Sequence, residues 1–306
     1  LLTDHRPMRP WWEGGVMHDQ EGKLADAARW SGRFDAVCEG CGGRLNALFP
    51  LHDLFRWYPH VRRRAIAFHS VEQEALGFPD AVASLASCDL VIARSRESAR
   101  RSREAGAKRV VESSDICFAG PLTTADHQPG WAAAFRSWGV ERSETYAAGL
   151  TEALKWLLDQ AIELDLVEIP KRVAEQLAAH RRQRGAAAAR VRALPIDRMY
   201  PPFCARRDRI VSGRLHTTLL ALQHGNRNIL QFTLEAGTAK VAEVFGDLGL
   251  DALTVHGAED LSAALLRAFA ESPQPVPEAA VQSAFALGRE RVEAGLDAFE
   301  EWLESL

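Results

Sequence analysis

A chain of 306 residues, 47% hydrophobic and 25% charged, has enough apolar surface for a large core, and its length favours two domains over one. A net charge of −4 and a pI of about 6.2 argue against a surface built for nucleic acid, so no nucleic-acid partner is expected. Five cysteines (Cys38, Cys41, Cys88, Cys117, Cys204) form no dense disulfide framework; with no apolar run near the roughly 18–20 residues a membrane helix needs and no basic, apolar leader, the expectation is a cytoplasmic protein without a transmembrane segment.

Residues 1–20 are punctuated by Pro, Trp and Gly and read as irregular. Phe34–Cys38 then reads as a short buried strand broken by Glu39-Gly40-Cys41-Gly42-Gly43. Ala65–Phe68 is a second strand, stopping at His69-Ser70, and Cys88–Ala93 a third, followed by Arg94. A polar helix with Ser98 near its start runs to Gly106, and Lys108–Val111 is a fourth strand ending at Ser113-Ser114-Asp115. Residues 120–150 carry Pro121, Pro129, Gly130, Gly139 and Gly149 and read as an interdomain region. Helices are predicted over Glu152–Leu166 and Lys171–Arg190.

Arg209–Val211 is a strand and Leu215–Gln223 a helix, with Gly225 as its stop. Asn228–Phe232 is the next strand, Lys240–Leu248 a helix ended by Gly249, Ala252–Val255 a last strand and Leu261–Ala270 a helix. A Pro-rich linker at 272–277 precedes a long amphipathic helix over Glu278–Glu304, open to two readings: swapping or pairing into a homo-oligomer, or crossing back over the N-terminal domain. Short buried strands alternating with helices mean parallel βαβ units. The expected architecture is therefore α/β: two doubly wound parallel-sheet domains, 1–125 and 126–306, facing a central cleft.

Ligands of such sheets bind beyond the carboxyl ends of the strands, so the polar groups there matter most. The richest segment is Ser212-Gly213-Arg214-Leu215-His216. An apolar strand ends at Val211, Ser212-Gly213 turn the chain, and Arg214 and His216 enter the first turn of the next helix. Unpaired N–H groups and the helix dipole favour an anion there. Arg214 adds a fork suited to carboxylate or phosphate, and His216 a group that titrates near neutrality. Alternatively, the two are a salt-bridged Arg and a core His. Lys240 places a cation at another helix start, against the dipole, which suggests a ligand or else a solvated lysine.

In the first half, Arg94 repeats the cationic strand end, and His69-Ser70 lies at another. No G-x-S-x-G elbow surrounds that Ser/His pair, which argues against a hydrolase triad. Gly40, Gly42 and Gly43 suit a loop that lets backbone approach phosphate or sugar, or simply a tight turn. Cys38 and Cys41 form C-x-x-C without the second ligand pair that zinc needs, and no metal site is expected.

Val211-Ser212-Gly213-Arg214-Leu215-His216, then Leu219–Leu222, Gly225, an apolar strand and Lys240, resembles the C-terminal signature of the polysaccharide pyruvyl transferase family. Gly40-Cys41-Gly42-Gly43 and the stretch Asp89–Arg94, Ser98, Gly106, Val110 and Asp115 are similar to that family's N-terminal half. The resemblance covers roughly residues 34–120 and 205–250. It implies a GT-B-like pair of Rossmann-like domains and a metal-independent transferase of polysaccharide biosynthesis. Such an enzyme moves the pyruvyl group of phosphoenolpyruvate onto hydroxyls of a sugar or glycan acceptor, releasing phosphate and needing no cofactor. Arg214 and His216 would then contact phosphoenolpyruvate, His216 as general acid/base, with Arg94 and Lys240 as further anion contacts. Two other readings stay open: a sugar-nucleotide glycosyltransferase of similar fold, with Glu235 as the ribose carboxylate, and a catalytically silent binding protein.

Overall fold

A computed structural model describes residues 2–3, 16–17, 36–40, 42–45, 61–135, 144–160, 163–167, 171–185, 191–194, 207–233 and 239–306. The chain divides into two compact units, Leu1–Ile116 with Arg291–Leu306, and Cys117–Glu290. Against the expected 1–125 and 126–306, the chief difference is that the last residues join the first unit. Strands β1 (Leu2–Thr3) and β2 (Val16–Met17) make a short parallel pair.

The first unit is built on a wholly parallel sheet. Its strands are β3 (Ala36–Glu39), β4 (Gly42–Leu45), β5 (Arg63–Val71), β6 (Leu90–Ala93) and β7 (Val110–Glu112), in the order β3-β5-β6-β7 with β4 also on β5. The middle of β5 (Ala65–Phe68) and all of β6 are apolar on both faces because both faces are covered. Ile66 and Val91 pack with Leu85, Cys88 and Ala105, next to helices α1 (Pro79–Ala86) and α2 (Arg96–Glu104). Helix α2 is capped by the Ser95 hydroxyl, which accepts the Ser98 N–H at 3.0 Å. Ser98 instead accepts the Val71 N–H at 3.0 Å and ties α2 to β5. The last helix of the chain, Glu278–Glu304, approaches from elsewhere at Gly295, where an added Cβ would sit 2.9 Å from Ile92 and 3.1 Å from Phe68.

The second unit holds six parallel strands: β8 (Gln128–Ala134), β9 (Leu164–Val167), β10 (Val191–Leu194), β11 (Arg207–Ser212), β12 (Ile229–Phe232) and β13 (Val255–His256). Their order is β10-β9-β8-β11-β12-β13. The chain builds outward from β8 in one direction and then restarts at β11 in the other, which puts the topological switch between β8 and β11. Helices α3 (Glu144–Asp159), α4 (Lys171–Arg184), α5 (Leu215–Gln223), α6 (Ala239–Asp247) and α7 (Ala263–Glu271) complete the unit, and the final helix of the chain is α8. Leu150, Leu154, Leu157 and Leu158 of α3 close over Trp131, Val211 and Phe232. Trp131 meets Trp156 and Phe269 edge-on, with ring centroids 6.3 Å and 5.8 Å away.

Helix α5 has the bounds the sequence predicts and is followed by Gly225 at φ +81°, a backbone that favours glycine. Two expectations are corrected. The stretch read as interdomain, 120–150, contains the central strand β8 and the start of α3. The helix expected over Glu152–Leu166 ends at Asp159, and its last residues belong to β9. Strand β9 has a carboxylate in its middle: Asp165 is fully buried because Arg207 donates to it at 3.0 Å from Nε, while Nη2 reaches Glu163 at 3.0 Å. Among the described residues, no helix is long and apolar enough to cross a membrane.

Candidate functional site

The site is built where the second sheet reverses direction. Ile210 and Val211 are apolar and buried, and Ser212 closes the strand with its side chain inside. The Gly213 N–H still donates to Ala134 at 2.8 Å, so β11 stays locked to β8 up to its last peptide. The Ser212 hydroxyl then accepts the Arg214 N–H at 3.0 Å and donates to the Arg214 carbonyl at 2.9 Å. Arg214 therefore has extended backbone (φ −130°, ψ 126°) at the N-cap of the nine-residue helix α5, and no side chain caps that helix. The amino end of α5 thus carries its N–H groups and partial positive charge to the switch point.

Leu215 is buried and anchors the first turn, whereas His216 is exposed. Thr217 and Thr218 face the interior, and the Thr218 hydroxyl bonds the Gln231 side chain of β12. Tyr146, in the first turn of α3, lies against Phe135 with ring centroids 6.4 Å apart. Burial pushes its phenol well up, and the positive charge of Arg214 pulls the other way, so the guanidinium is within electrostatic reach of the ring. Cys117 also belongs here, its Sγ within 4.8 Å of a His216 ring nitrogen. Sequence reasoning missed both. Tyr146 carried no motif, and Cys117 offered only its closeness to the polar end of β7.

Five predicted residues, Ser212, Gly213, Arg214, Leu215 and His216, are thus brought together at one strand-to-helix junction. Lys240 is the second residue of α6, but its side chain and Glu235 lie outside the described residues.

The first-unit residues differ from expectation. Arg94 is buried at 3% exposure, and its Nη1 pairs with Asp115 at 2.9 Å. Its Nε and Nη2 both donate to the Ser70 hydroxyl, at 3.0 Å and 2.8 Å. Rather than standing open for substrate, Arg94 and Ser70 tie the carboxyl ends of β5 and β6 to the segment after β7. His69 is fully buried beside them, just after Phe68, whose φ of +54° marks the irregularity where β5 shifts register against β6.

Gly40 is exposed with open space at its Cβ position. Gly42 and Gly43 correct the expected ligand-cradling turn. They sit in β4, whose Gly42↔His69 pairing continues the register of Glu39↔Ile66 in β3. The glycine run is an edge of the sheet because two short strands here run along one neighbour. Cys38 is half-buried and in no disulfide, while Cys41 lies outside the described residues.

No protein-family model matches the chain, and no curated protein matches its sequence. Solved structures do match in fold. The UDP co-structure of MnaA from S. aureus aligns with a TM-score of 0.56 at 12% identity, over 93% of this chain and 80% of that one. The UDP-GlcNAc 2-epimerase of Methanocaldococcus jannaschii gives 0.54 at 11% identity, over 94% and 86%. A glycosyltransferase from Rickettsia africae gives 0.51 at 13%, over 95% and 86%. These likenesses define the class of fold: α/β, Rossmann-like, of the kind those enzymes share. They overturn the expected pyruvyl transfer from phosphoenolpyruvate, because the matching structures are named for UDP, UDP-GlcNAc and glycosyl transfer.

Proposed function

We propose that this chain is a GT-B-type glycosyltransferase that takes a sugar nucleotide as donor and a sugar or glycan as acceptor. One observation carries the reading: the uncapped amino end of α5, with Arg214 at its N-cap, stands at the switch point between β8 and β11 of a six-stranded parallel sheet. A nucleoside diphosphate places two phosphates in a small volume, and the N–H groups and partial positive charge of a helix start suit one of them. Arg214 supplies a planar fork for phosphate oxygens and is held in place through its own backbone by Ser212. His216, exposed in the first turn of the helix, meets the leaving diphosphate or the incoming hydroxyl as a proton donor or acceptor. The UDP-linked names of the similar structures support uridine as the base.

The experiment is a thermal-shift and calorimetric titration of the purified protein with UDP, UDP-GlcNAc and phosphoenolpyruvate, repeated with Arg214→Ala. A UDP or UDP-sugar complex that weakens about tenfold or more in Arg214→Ala supports the reading. No nucleotide binding, or equal binding in the variant, overturns it. Release of UDP from UDP-sugar only when a glycan is added then identifies transfer.

A further inference from the structure

Within the second unit, helices α3 and α4 leave an open hollow of about 420 Å3 between them. That volume falls in the range of about 300–1,000 Å3 in which small ligands are held. Residue size makes the gap. Leu150, Leu154 and Leu177 turn to the core, whereas Ala148 and Ala179, which line the hollow, are too short to fill it. Around these two methyls stand Thr151, Glu152, Lys155, Gln176, His180 and Gln183.

Most of the lining groups are fixed by a partner. The Thr151 hydroxyl meets Gln176 Oε1 at 2.8 Å. His180 Nε2 lies 2.8 Å from Asp159 Oδ1, which also receives Arg184 Nε at 2.7 Å. Arg184 first, and His180 after it, hold the Asp159 carboxyl below the ordinary carboxylate range, so this anchor stays charged. Lys155 Nζ donates to Glu152 at 2.9 Å, which cancels the two charges. The amide N–H groups of Gln176 and the amide of Gln183 make no hydrogen bond among the described residues. Side chains already held in place lose less freedom when a ligand arrives.

We propose that the hollow between α3 and α4 is a binding site for a neutral sugar unit, using residues separate from the Ser212–His216 junction. Each sugar hydroxyl both gives and accepts a hydrogen bond, and the lining offers both kinds of partner: two amides, an imidazole and an ammonium–carboxylate pair. The Ala148 and Ala179 methyls supply apolar contact for the C–H groups of the ring. Because the Lys155 and Glu152 charges cancel, a neutral ligand suits the hollow better than an anion. Its use as a hold on a repeat of the glycan acceptor, away from the reacting hydroxyl, rests on the glycosyltransferase reading; sugar binding itself does not.

The test is calorimetric titration of the whole protein with maltotriose, chitotriose and, as an anionic contrast, inorganic phosphate. Wild type is expected to bind at least one of the trisaccharides with a Kd of about 10 mM or tighter, and phosphate more weakly. Ala179→Leu fills the hollow and Gln183→Leu removes an exposed amide. Each should weaken the sugar complex at least about fivefold. No trisaccharide binding at that level overturns the proposal, as does phosphate bound as tightly as the sugar. Affinity unchanged in either folded variant also overturns it, because the sugar then sits elsewhere. If Ala179→Leu does not fold, Gln183→Leu, a surface change, decides. Nucleotide is absent from the titration, so this site and the sugar-nucleotide reading stand or fall separately.

Discussion

Ser212 and Arg214 form a closed pair: one buried hydroxyl receives the Arg214 N–H at 3.0 Å and gives its own proton to the Arg214 carbonyl at 2.9 Å. The hydroxyl thereby sets the direction in which α5 leaves the sheet and where its N-cap guanidinium begins. Ser212→Ala leaves the half-buried Arg214 N–H to find a new partner, while the carbonyl keeps the Thr218 N–H at 3.3 Å, a cost of about 1–3 kcal/mol. Urea unfolding should show that loss, and nucleotide affinity of the folded protein should fall with it. Ser212→Thr, which keeps the hydroxyl, should retain more of both. Unfolding curves of Ser212→Ala that overlay wild type would show that the pair does not orient the helix.

Arg94 gives the second prediction, because the structure moves it from an expected substrate contact to an internal brace. Its partner Asp115 is 1% exposed, so removing the guanidinium strands a buried carboxylate. Arg94→Met should destabilise the protein by about 3–5 kcal/mol, while the double change Arg94→Met with Asp115→Asn should recover part of that loss. Arg94→Lys should recover little, since a single ammonium cannot serve both Asp115 and the two bonds to Ser70. Denaturant titration measures all three. A stable Arg94→Met protein with impaired acceptor use would return Arg94 to the substrate side.

Much of the architecture was legible where burial on both faces writes itself as an unbroken apolar run. Ala65–Phe68 and Leu90–Ala93 are of that kind, and so is the Arg209–Val211 strand leading into α5. Helix α5 was legible to its last residue because Gly225 supplies a left-handed stop. Strand β8 was not, since Trp131 is followed by three alanines, residues with little strand preference, and Gly130 and Pro129 look like loop punctuation. Strand β9 was hidden by Asp165, whose burial makes sense only beside Arg207, a residue far along the chain. The site divides the same way. Ser212–His216 was legible as one segment, since a strand end, a turn and a helix start follow one another in sequence. Tyr146 and Cys117 reach it only through tertiary contact, and the glycines at 42 and 43 resembled a turn because a register continued across neighbouring strands cannot be read from one strand alone.

Two glycines on helices should respond to alanine in opposite directions. At Gly295 of α8 a Cβ would meet the Ser113 hydroxyl at 2.8 Å and Ile92 at 2.9 Å, both inside the first unit. Gly295→Ala should therefore cost about 1–3 kcal/mol through overpacking. At Gly246 of α6 the only neighbour within 4 Å among the described residues is the Asp251 carboxylate at 3.7 Å. Gly246→Ala should gain about 0.5–1 kcal/mol by reducing backbone entropy in the unfolded chain. Thermal denaturation of both variants checks the sign. A stabilised Gly295→Ala protein would show that α8 does not pack against the sheet at that point.

The last prediction concerns acid. His224, at the C-cap of α5, is half-buried, and its Nδ1 lies 2.8 Å from the Thr123 hydroxyl. Burial holds its pKa below the ordinary 6.5, and the neighbouring charge of His127 acts in the same direction. The unfolded chain takes up a proton at about 6.5 that the folded protein resists, so the unfolded state binds more protons as pH falls below that value. The contribution of His224 to stability is thus fully present above about pH 6.5 and is lost as pH falls through the folded pKa. Urea midpoints measured from about pH 7.5 down to about pH 5 should decline more steeply for wild type than for His224→Asn. The asparagine keeps a polar partner for Thr123 but has no proton to take up. Parallel declines in the two proteins would assign the acid sensitivity to other groups.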